Sequence, residues 1–179
     1  AISKYSPKCR YYNAGSSEEF GDVITCPQNE MHPLRPRSPY GASKASARHL
    51  VKVYRDSYDL YAVQGWLFNH EGTRRGEDFI TRKISKGVAR IAKEIENNKK
   101  IKPISVGNIE ARRDWSDAED FVEGIWLMLN NKLGPKDYVL SSGKSYSIRQ
   151  FIEAAFSEAN IPCFWSGSGL SEKLILANH

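Results

Sequence analysis

The chain has 179 residues, of which 40% are hydrophobic and 26% are charged, a composition typical of a folded domain and unlike that of a disordered chain. The net charge is +5, but the basic residues are spread along the chain and no nucleic-acid-binding motif occurs. No run of about 18 apolar residues is present, as a membrane span would require. We therefore expect no nucleic-acid partner and no membrane partner.

The three cysteines of the chain are Cys9, Cys26 and Cys163, an odd number without CxxC spacing. This pattern predicts neither a metal site nor a disulfide framework, and it favours a reducing, cytoplasmic location. The chain begins at Ala1 without a starting Met or an apolar signal core. We interpret this end as an internal cut.

Segments of helical and strand character alternate along the chain. The hydrophobic pattern predicts strands at 10–14, 61–68, 102–106 and 138–140, helices at 39–58, 79–97, 117–130 and 147–159, and a final loop over 167–179. Ser38 and Pro39 suit the start of the first helix. Helix 79–97 carries isoleucine and valine residues in one apolar stripe. Helix 117–130 places Phe121, Val122 and Trp126 on one apolar face. The alternation predicts an α/β architecture with a mainly parallel sheet.

The segment from Ser38 to Lys44 contains the most informative motif, in which Tyr40 and Lys44 lie one helical turn apart. A tyrosine that acts as a base near neutral pH needs a stabilised phenolate. A cation about 4 Å away supplies about 4 kcal/mol at a surface-like dielectric constant. The helix N-terminus would add to this effect. Such Tyr-Lys pairs are also common on protein surfaces, so the motif by itself is weak.

A second motif lies upstream, where the strand ends in a turn that contains Ser16 and Glu18. Ligand sites form at the carboxyl ends of parallel strands. Ser16 could bind a substrate hydroxyl there, and Glu18 could act as an acid or a base. The alternative is a helix cap followed by an acid in the first turn.

Together the two motifs resemble the extended short-chain dehydrogenase/reductase family. Within it, an acid two residues after the catalytic hydroxyl is typical of nucleotide-sugar 4,6-dehydratases. Segments 67–76, 79–84 and 107–115 are similar to the GDP-mannose 4,6-dehydratases in particular. The resemblance extends from Tyr5 to about Ile161.

The resemblance implies a role for each matching residue. Ser16 and Glu18, and not Glu19, match the catalytic hydroxyl and the catalytic acid. Tyr40 and Lys44 match the catalytic pair, which also holds the nicotinamide ribose. The other implied contacts are His70 and Arg75 with the cofactor, and Asn69, Lys83 and Arg113 with the nucleotide-sugar. No residue is implied to bind a metal.

The implied fold is the C-terminal part of a Rossmann-type parallel sheet plus a smaller α/β region that binds the sugar nucleotide. We predict that residues 1–70 belong to the NADP-binding domain. Residues 71–179 are predicted to bind mainly substrate, with about 112–142 returning to the first domain. The Gly-rich turn that seats the pyrophosphate in this family is absent. We therefore expect residues 1–179 alone to lack turnover.

The implied function is NADP-dependent dehydration of GDP-mannose to GDP-4-keto-6-deoxymannose, by a protein that is a homo-oligomer when full length. Close alternatives are dehydration of CDP- or dTDP-glucose, or epimerisation or reduction of a nucleotide-sugar. An alternative of another class is an inactive scaffold fragment.

Overall fold

The computed structural model describes residues 1–177, which divide into two compact units. Unit 1 contains residues 1–72 and 114–144. Unit 2 contains residues 73–113 and those from Ser145 onward. The functional roles predicted for the two parts of the chain stay predictions. Across residues 1–177, no helix is both long and apolar enough to cross a membrane.

Five helices and nine strands are present in the described residues. In chain order they are α1 (Ile2–Tyr5), β1 (Tyr11–Ser16), α2 (Pro39–Tyr58), β2 (Ala62–Leu67), β3 (Asn69–Glu71), α3 (Ile80–Glu96), β4 (Arg112–Arg113), β5 (Trp115–Asp117), α4 (Ala118–Leu129), β6 (Asp137–Leu140), β7 (Tyr146–Ser147), α5 (Ile148–Glu158), β8 (Cys163–Ser166) and β9 (Lys173–Leu176). The predicted α/β architecture with a parallel sheet is confirmed.

The main sheet of unit 1 has three parallel strands in the order β1-β2-β6. Ser16 is opposite Leu67, and Leu67 is opposite Leu140. The carboxyl ends of the three strands therefore lie at one edge of the sheet. Every residue of the central strand β2 is buried, as expected for a parallel strand that is covered on both faces.

Helix α2 begins as its sequence predicts. The Ser38 hydroxyl accepts a hydrogen bond from the Gly41 amide at 3.0 Å, and Pro39 occupies the first turn. The helix ends at Tyr58 and is capped by Asp59, which has a left-handed conformation with φ of 50°. The predicted bounds of 39–58 are confirmed.

Unit 2 is built around helices α3 and α5, which pack against each other. The predicted apolar stripe of α3 forms one side of this core. The buried residues of the core are Ile84, Val88, Ile91, Ile152, Phe156 and Ile161.

The strand predicted at 102–106 was wrong, because this segment has no strand structure. Its backbone bonds instead to side chains of α3. The Lys102 amide donates to Glu94 Oε2 at 3.0 Å, and Arg90 Nη2 donates to the Lys102 carbonyl at 2.9 Å. The apolar residues that suggested a strand, among them Ile104, pack against the core of unit 2.

The loop predicted over 167–179 was also wrong. Strand β9 pairs with β8 in an antiparallel hairpin, with Cys163 opposite Leu176. Leu174 and Leu176 pack against the core of unit 2, and this burial explains why the segment is ordered into a strand. Residues 178–179 of the predicted loop lie outside the described residues.

Helix α4 forms as predicted, but its single apolar face was wrong. Phe121 and Met128 are buried, whereas Val122 and Trp126 are each 66% exposed. The helix approaches β6 through Gly124, where a Cβ atom would lie 2.9 Å from Leu140 Cδ2. This close approach turns the side that carries Val122 and Trp126 away from the sheet.

Asp137, at the start of β6, joins this strand to α2. Its two carboxylate oxygens accept hydrogen bonds from Arg48 and Arg55, each at 2.8 Å, and the three side chains are 13–16% exposed. We predict that Asp137→Ala lowers the free energy of unfolding by about 3 kcal/mol, because two cations lose their buried partner. Urea denaturation would measure this loss.

The matched control is Asp22→Ala, which removes an exposed pair with Arg37 in the same unit. Exposed ion pairs contribute little to stability, so we expect almost no change. A loss of stability in Asp22→Ala as large as that in Asp137→Ala would contradict the larger contribution of the buried pair.

Candidate active site

The candidate site lies at the carboxyl edge of the unit 1 sheet. Ser16 is the last residue of β1, and it is opposite Leu67, the last residue of β2. Asn69 and His70 follow directly in β3. Ser16, Asn69 and His70 therefore lie at or just after neighbouring strand ends, where ligands bind in open α/β sheets.

Ser16 begins a short 3₁₀ turn, Ser17–Glu19, and serves as its cap. Its Oγ accepts a hydrogen bond from the Glu18 amide at 3.2 Å. Ser16 therefore does cap this turn, as the alternative interpretation predicted. The cap uses the hydroxyl only as an acceptor, so the hydroxyl proton can still be donated to a ligand. Glu18 is exposed, and its carboxylate can reach a ligand at this edge.

The first turn of α2 lies directly against this 3₁₀ turn. A Cβ atom on Gly41 would be 2.6 Å from the Glu18 carbonyl oxygen, so only glycine permits the approach. Gly41 follows Tyr40 in the chain. The contact thus places the helix turn that carries Tyr40 against the turn that carries Glu18.

Lys44 connects the same helix to β1. Its Nζ donates to the Ala14 carbonyl at 2.9 Å and lies 5.7 Å from the centroid of the Tyr40 ring. Tyr40 itself is 54% exposed. The arrangement places a fixed cation over the ring of an accessible tyrosine.

His70 is held by two contacts after the end of β2. Its Nδ1 lies 2.9 Å from the Phe68 carbonyl oxygen, and its ring stacks on Phe121 with centroids 4.8 Å apart. Asn69 is half-buried and is opposite Trp115 in the β3-β5 pair. The fold therefore fixes the orientation of His70 through Phe68 and Phe121, and the position of Asn69 through the pairing of β3 with β5.

Three predicted site residues belong to unit 2. The guanidinium carbon of Arg75 lies 3.4 Å from the centroid of the Phe79 ring. Lys83 is an exposed residue of α3, and Arg113 is an exposed residue of β4. Arg113 Nη1 donates to the Arg112 carbonyl at 2.8 Å, which leaves most of its donors for a ligand.

A family model described as GDP-mannose 4,6 dehydratase matches residues 1–178. The chain belongs to this family. It is 44% identical over 163 residues to the GDP-mannose 4,6 dehydratase of Drosophila melanogaster, a match that covers 91% of the chain and 40% of that protein. The chain spans about two fifths of the length of the curated relatives that it matches first.

Solved structures share the fold of this GDP-mannose 4,6-dehydratase family member. RMD from Pseudomonas aeruginosa, complexed with NADPH, is 25% identical with a TM-score of 0.72, over 85% of this chain and 50% of that one. The dTDP-glucose 4,6-dehydratase of Bacillus anthracis, in complex with NAD, has a TM-score of 0.71 and 22% identity, over 87% and 47%. The predicted Rossmann-type architecture is confirmed.

The family resemblance pointed to Glu18 and passed over its neighbour Glu19, whose side chain is fully buried. Glu19 Oε1 accepts hydrogen bonds from the Ser16 amide at 2.9 Å and from Gln64 Nε2 at 3.3 Å. Oε2 accepts one from Trp66 Nε1 at 2.7 Å. The signal that could have revealed this cluster is Gln64, a polar residue inside an otherwise apolar strand, which needs a buried partner.

Burial raises the pKa of the Glu19 carboxyl above its ordinary value of 4.5, and the hydrogen bonds and the charge of Lys44 oppose this rise. The folded chain therefore binds this proton more tightly than the unfolded chain. We predict that the free energy of unfolding falls as pH increases from 4.5 through the raised pKa, by at most about 1.4 kcal/mol per pH unit. Urea denaturation at a series of pH values would measure the slope.

The control is Glu19→Gln, which has no proton to lose, so its stability should vary less with pH in this window. Equal slopes in the two proteins would contradict the assignment to Glu19.

Proposed function

We propose that the polypeptide carrying this chain dehydrates GDP-mannose to GDP-4-keto-6-deoxymannose with NADP as its cofactor. Membership of the GDP-mannose 4,6-dehydratase family supports this function. The observation that carries it is the contact at Gly41, through which the Tyr40-Lys44 helix lies against the turn of Ser16 and Glu18.

The residues of unit 1 fit the nicotinamide end of such a cofactor. The Lys44 ammonium has three donors, and the Ala14 carbonyl takes one of them. Two donors remain for ribose hydroxyls, beside the exposed Tyr40 phenol. The further residues that we propose to contact the cofactor are His70, which is held by Phe68 and Phe121, and Arg75, which belongs to unit 2. When bound, the nicotinamide supplies a hydride acceptor for C4 of the sugar and a hydride donor for C6.

Side chains of this protein carry out the proton transfers of the reaction. Tyr40 takes the proton of the sugar 4-hydroxyl, and the Lys44 cation stabilises the phenolate that performs this step. Oxidation leaves a 4-ketone, which acidifies the hydrogen on C5. Glu18 removes that proton, and the C6 hydroxyl leaves as water with a proton from Glu18 or Ser16. When C6 is reduced, C5 takes up a proton again, so the two protons taken by Tyr40 and Glu18 are balanced by one given to the leaving water and one given to C5.

The nucleotide-sugar is proposed to be held by Asn69, Lys83 and Arg113. The last two are exposed cations of unit 2, and a guanidinium can bind two oxygens of a diphosphate at once. Their contacts would be the same before and during the reaction, so they should contribute to substrate binding more than to the chemical steps.

Glu18→Gln tests the proposed function in the full-length polypeptide. We expect the variant to oxidise C4 but to stall before elimination, because no base remains for the C5 proton. Reduced cofactor should then accumulate in the presence of GDP-mannose, and its absorbance would measure this.

The matched control is Tyr40→Phe, which should give no reduced cofactor because the first proton transfer is lost. Near-normal turnover in Tyr40→Phe would contradict the proposed base. Normal turnover in Glu18→Gln would show that this carboxylate does not remove the C5 proton.

Arg113→Ala tests the nucleotide-binding role. We predict that the KM for GDP-mannose rises at least about tenfold while kcat changes less than threefold, since uniform binding is lost. Steady-state kinetics would separate the two constants, with the neighbouring Arg112→Ala as control because Arg112 already bonds to Ser145. A fall in kcat at constant KM would instead assign Arg113 to the reacting centre or to the fold.

A further inference from the structure

Residues of β1 and β2 surround the Glu19 carboxylate closely. A Cβ atom on Gly15 would lie 2.7 Å from Glu19 Oε1 and 2.1 Å from Gln64 Nε2, so glycine is required there. Asn13 Nδ2 donates to Gln64 Oε1 at 2.6 Å. This bond turns the amide nitrogen of Gln64 toward the carboxylate. β1 and β2 are thus arranged around an acceptor at position 19.

An apolar side chain at this position would leave three donors without a partner. They are the Ser16 amide, the Trp66 indole N–H and the Gln64 amide nitrogen. Each buried donor without an acceptor is costly. Stability alone is nevertheless a weak reason for a buried acid, because an apolar cluster of similar volume is often as stable. A buried acid with a shifted pKa at a ligand edge instead indicates a functional role.

The Glu19 carboxylate lies close to two residues of the proposed reaction, Ser16 and Lys44. It holds the backbone amide of Ser16 at 2.9 Å, and it closely approaches Gly15, which directly follows Ala14. The Lys44 ammonium is held on β1 by the Ala14 carbonyl, and a negative charge close by strengthens this placement. Since Glu19 is 0% exposed, it cannot touch a substrate, and these two residues can carry its influence to one.

We propose that Glu19 is a positioning residue for the dehydration, whose carboxylate fixes the Ser16 backbone and the Lys44 ammonium in the arrangement that the first proton transfer requires. This inference rests on the proposed function. It gives the second carboxylate of the Glu18-Glu19 pair a role different from that of the first, because Glu18 is exposed and Glu19 is not.

The test is Glu19→Gln in the full-length polypeptide. Both carboxylate oxygens accept N–H donors, whereas an amide has one oxygen and one donor group. The substitution therefore turns a donor toward either Ser16 or Trp66, and it removes the charge that faces Lys44. We expect kcat to fall at least about tenfold, with the KM for GDP-mannose within about twofold of the wild type. Reduced cofactor should not accumulate, in contrast to Glu18→Gln.

Val63→Ala is the matched control for lost stability. Val63 is 0% exposed in β2, next to Gln64, but makes no bond to Glu19. Its truncation destabilises the same sheet and should leave the kcat of the folded protein unchanged. If Glu19→Gln does not fold, Glu19→Asp serves as the second variant. It keeps the charge but is shorter by one methylene, and it should lose the contact with Ser16 and show the same fall in kcat.

A kcat of Glu19→Gln equal to that of Val63→Ala overturns the positioning role, as does a fall in activity that appears only as a higher KM. Wild-type protein without any dehydration of GDP-mannose overturns the proposed function, and this role with it. Active wild type with an unaffected Glu19→Gln overturns the positioning role alone.

Discussion

The close approach of the first turn of α2 to the end of β1 is the constraint on which the candidate site depends. A Cβ atom at position 41 would lie 2.6 Å from the Glu18 carbonyl oxygen, so only glycine permits this approach. The hydrogen bond from Lys44 to Ala14 holds the next turn of the helix against the same strand. Two motifs that are two dozen residues apart in the chain become one site because these two contacts fix a helix against a strand end.

Features with a local signal were predicted from the sequence. The cap at Ser38, the proline at position 39 and the apolar stripe of α3 each depend on residues within a few turns. The segment 102–106 and the β8-β9 hairpin depend on partners elsewhere. Segment 102–106 is irregular because Glu94 and Arg90 form hydrogen bonds with its backbone groups. Strands β8 and β9 form a hairpin because residues such as Leu174 pack against the core of unit 2.

The same difference between local signals and distant partners decides which residues of the candidate site could be predicted. Tyr40, Lys44, Ser16 and Glu18 could be found from spacing and family resemblance, since each motif is contiguous. The burial of Glu19 could not, because it follows from the register that places Ser16 opposite Leu67 and brings Gln64 and Trp66 of β2 under the turn. Adjacent glutamates look equivalent in a sequence, and only the pairing of two strands makes one exposed and the other buried.

The residues proposed to move protons all belong to unit 1, whereas the cations proposed for the diphosphate, Lys83 and Arg113, belong to unit 2. A shared fold does not by itself decide the reaction. The reaction type should therefore follow the turn of Ser16 and Glu18. A diphosphate is common to all nucleotide-sugars, so substitutions at Lys83 and Arg113 should weaken substrate binding without changing the reaction, as long as the Gly41 contact keeps the proton-transfer residues together.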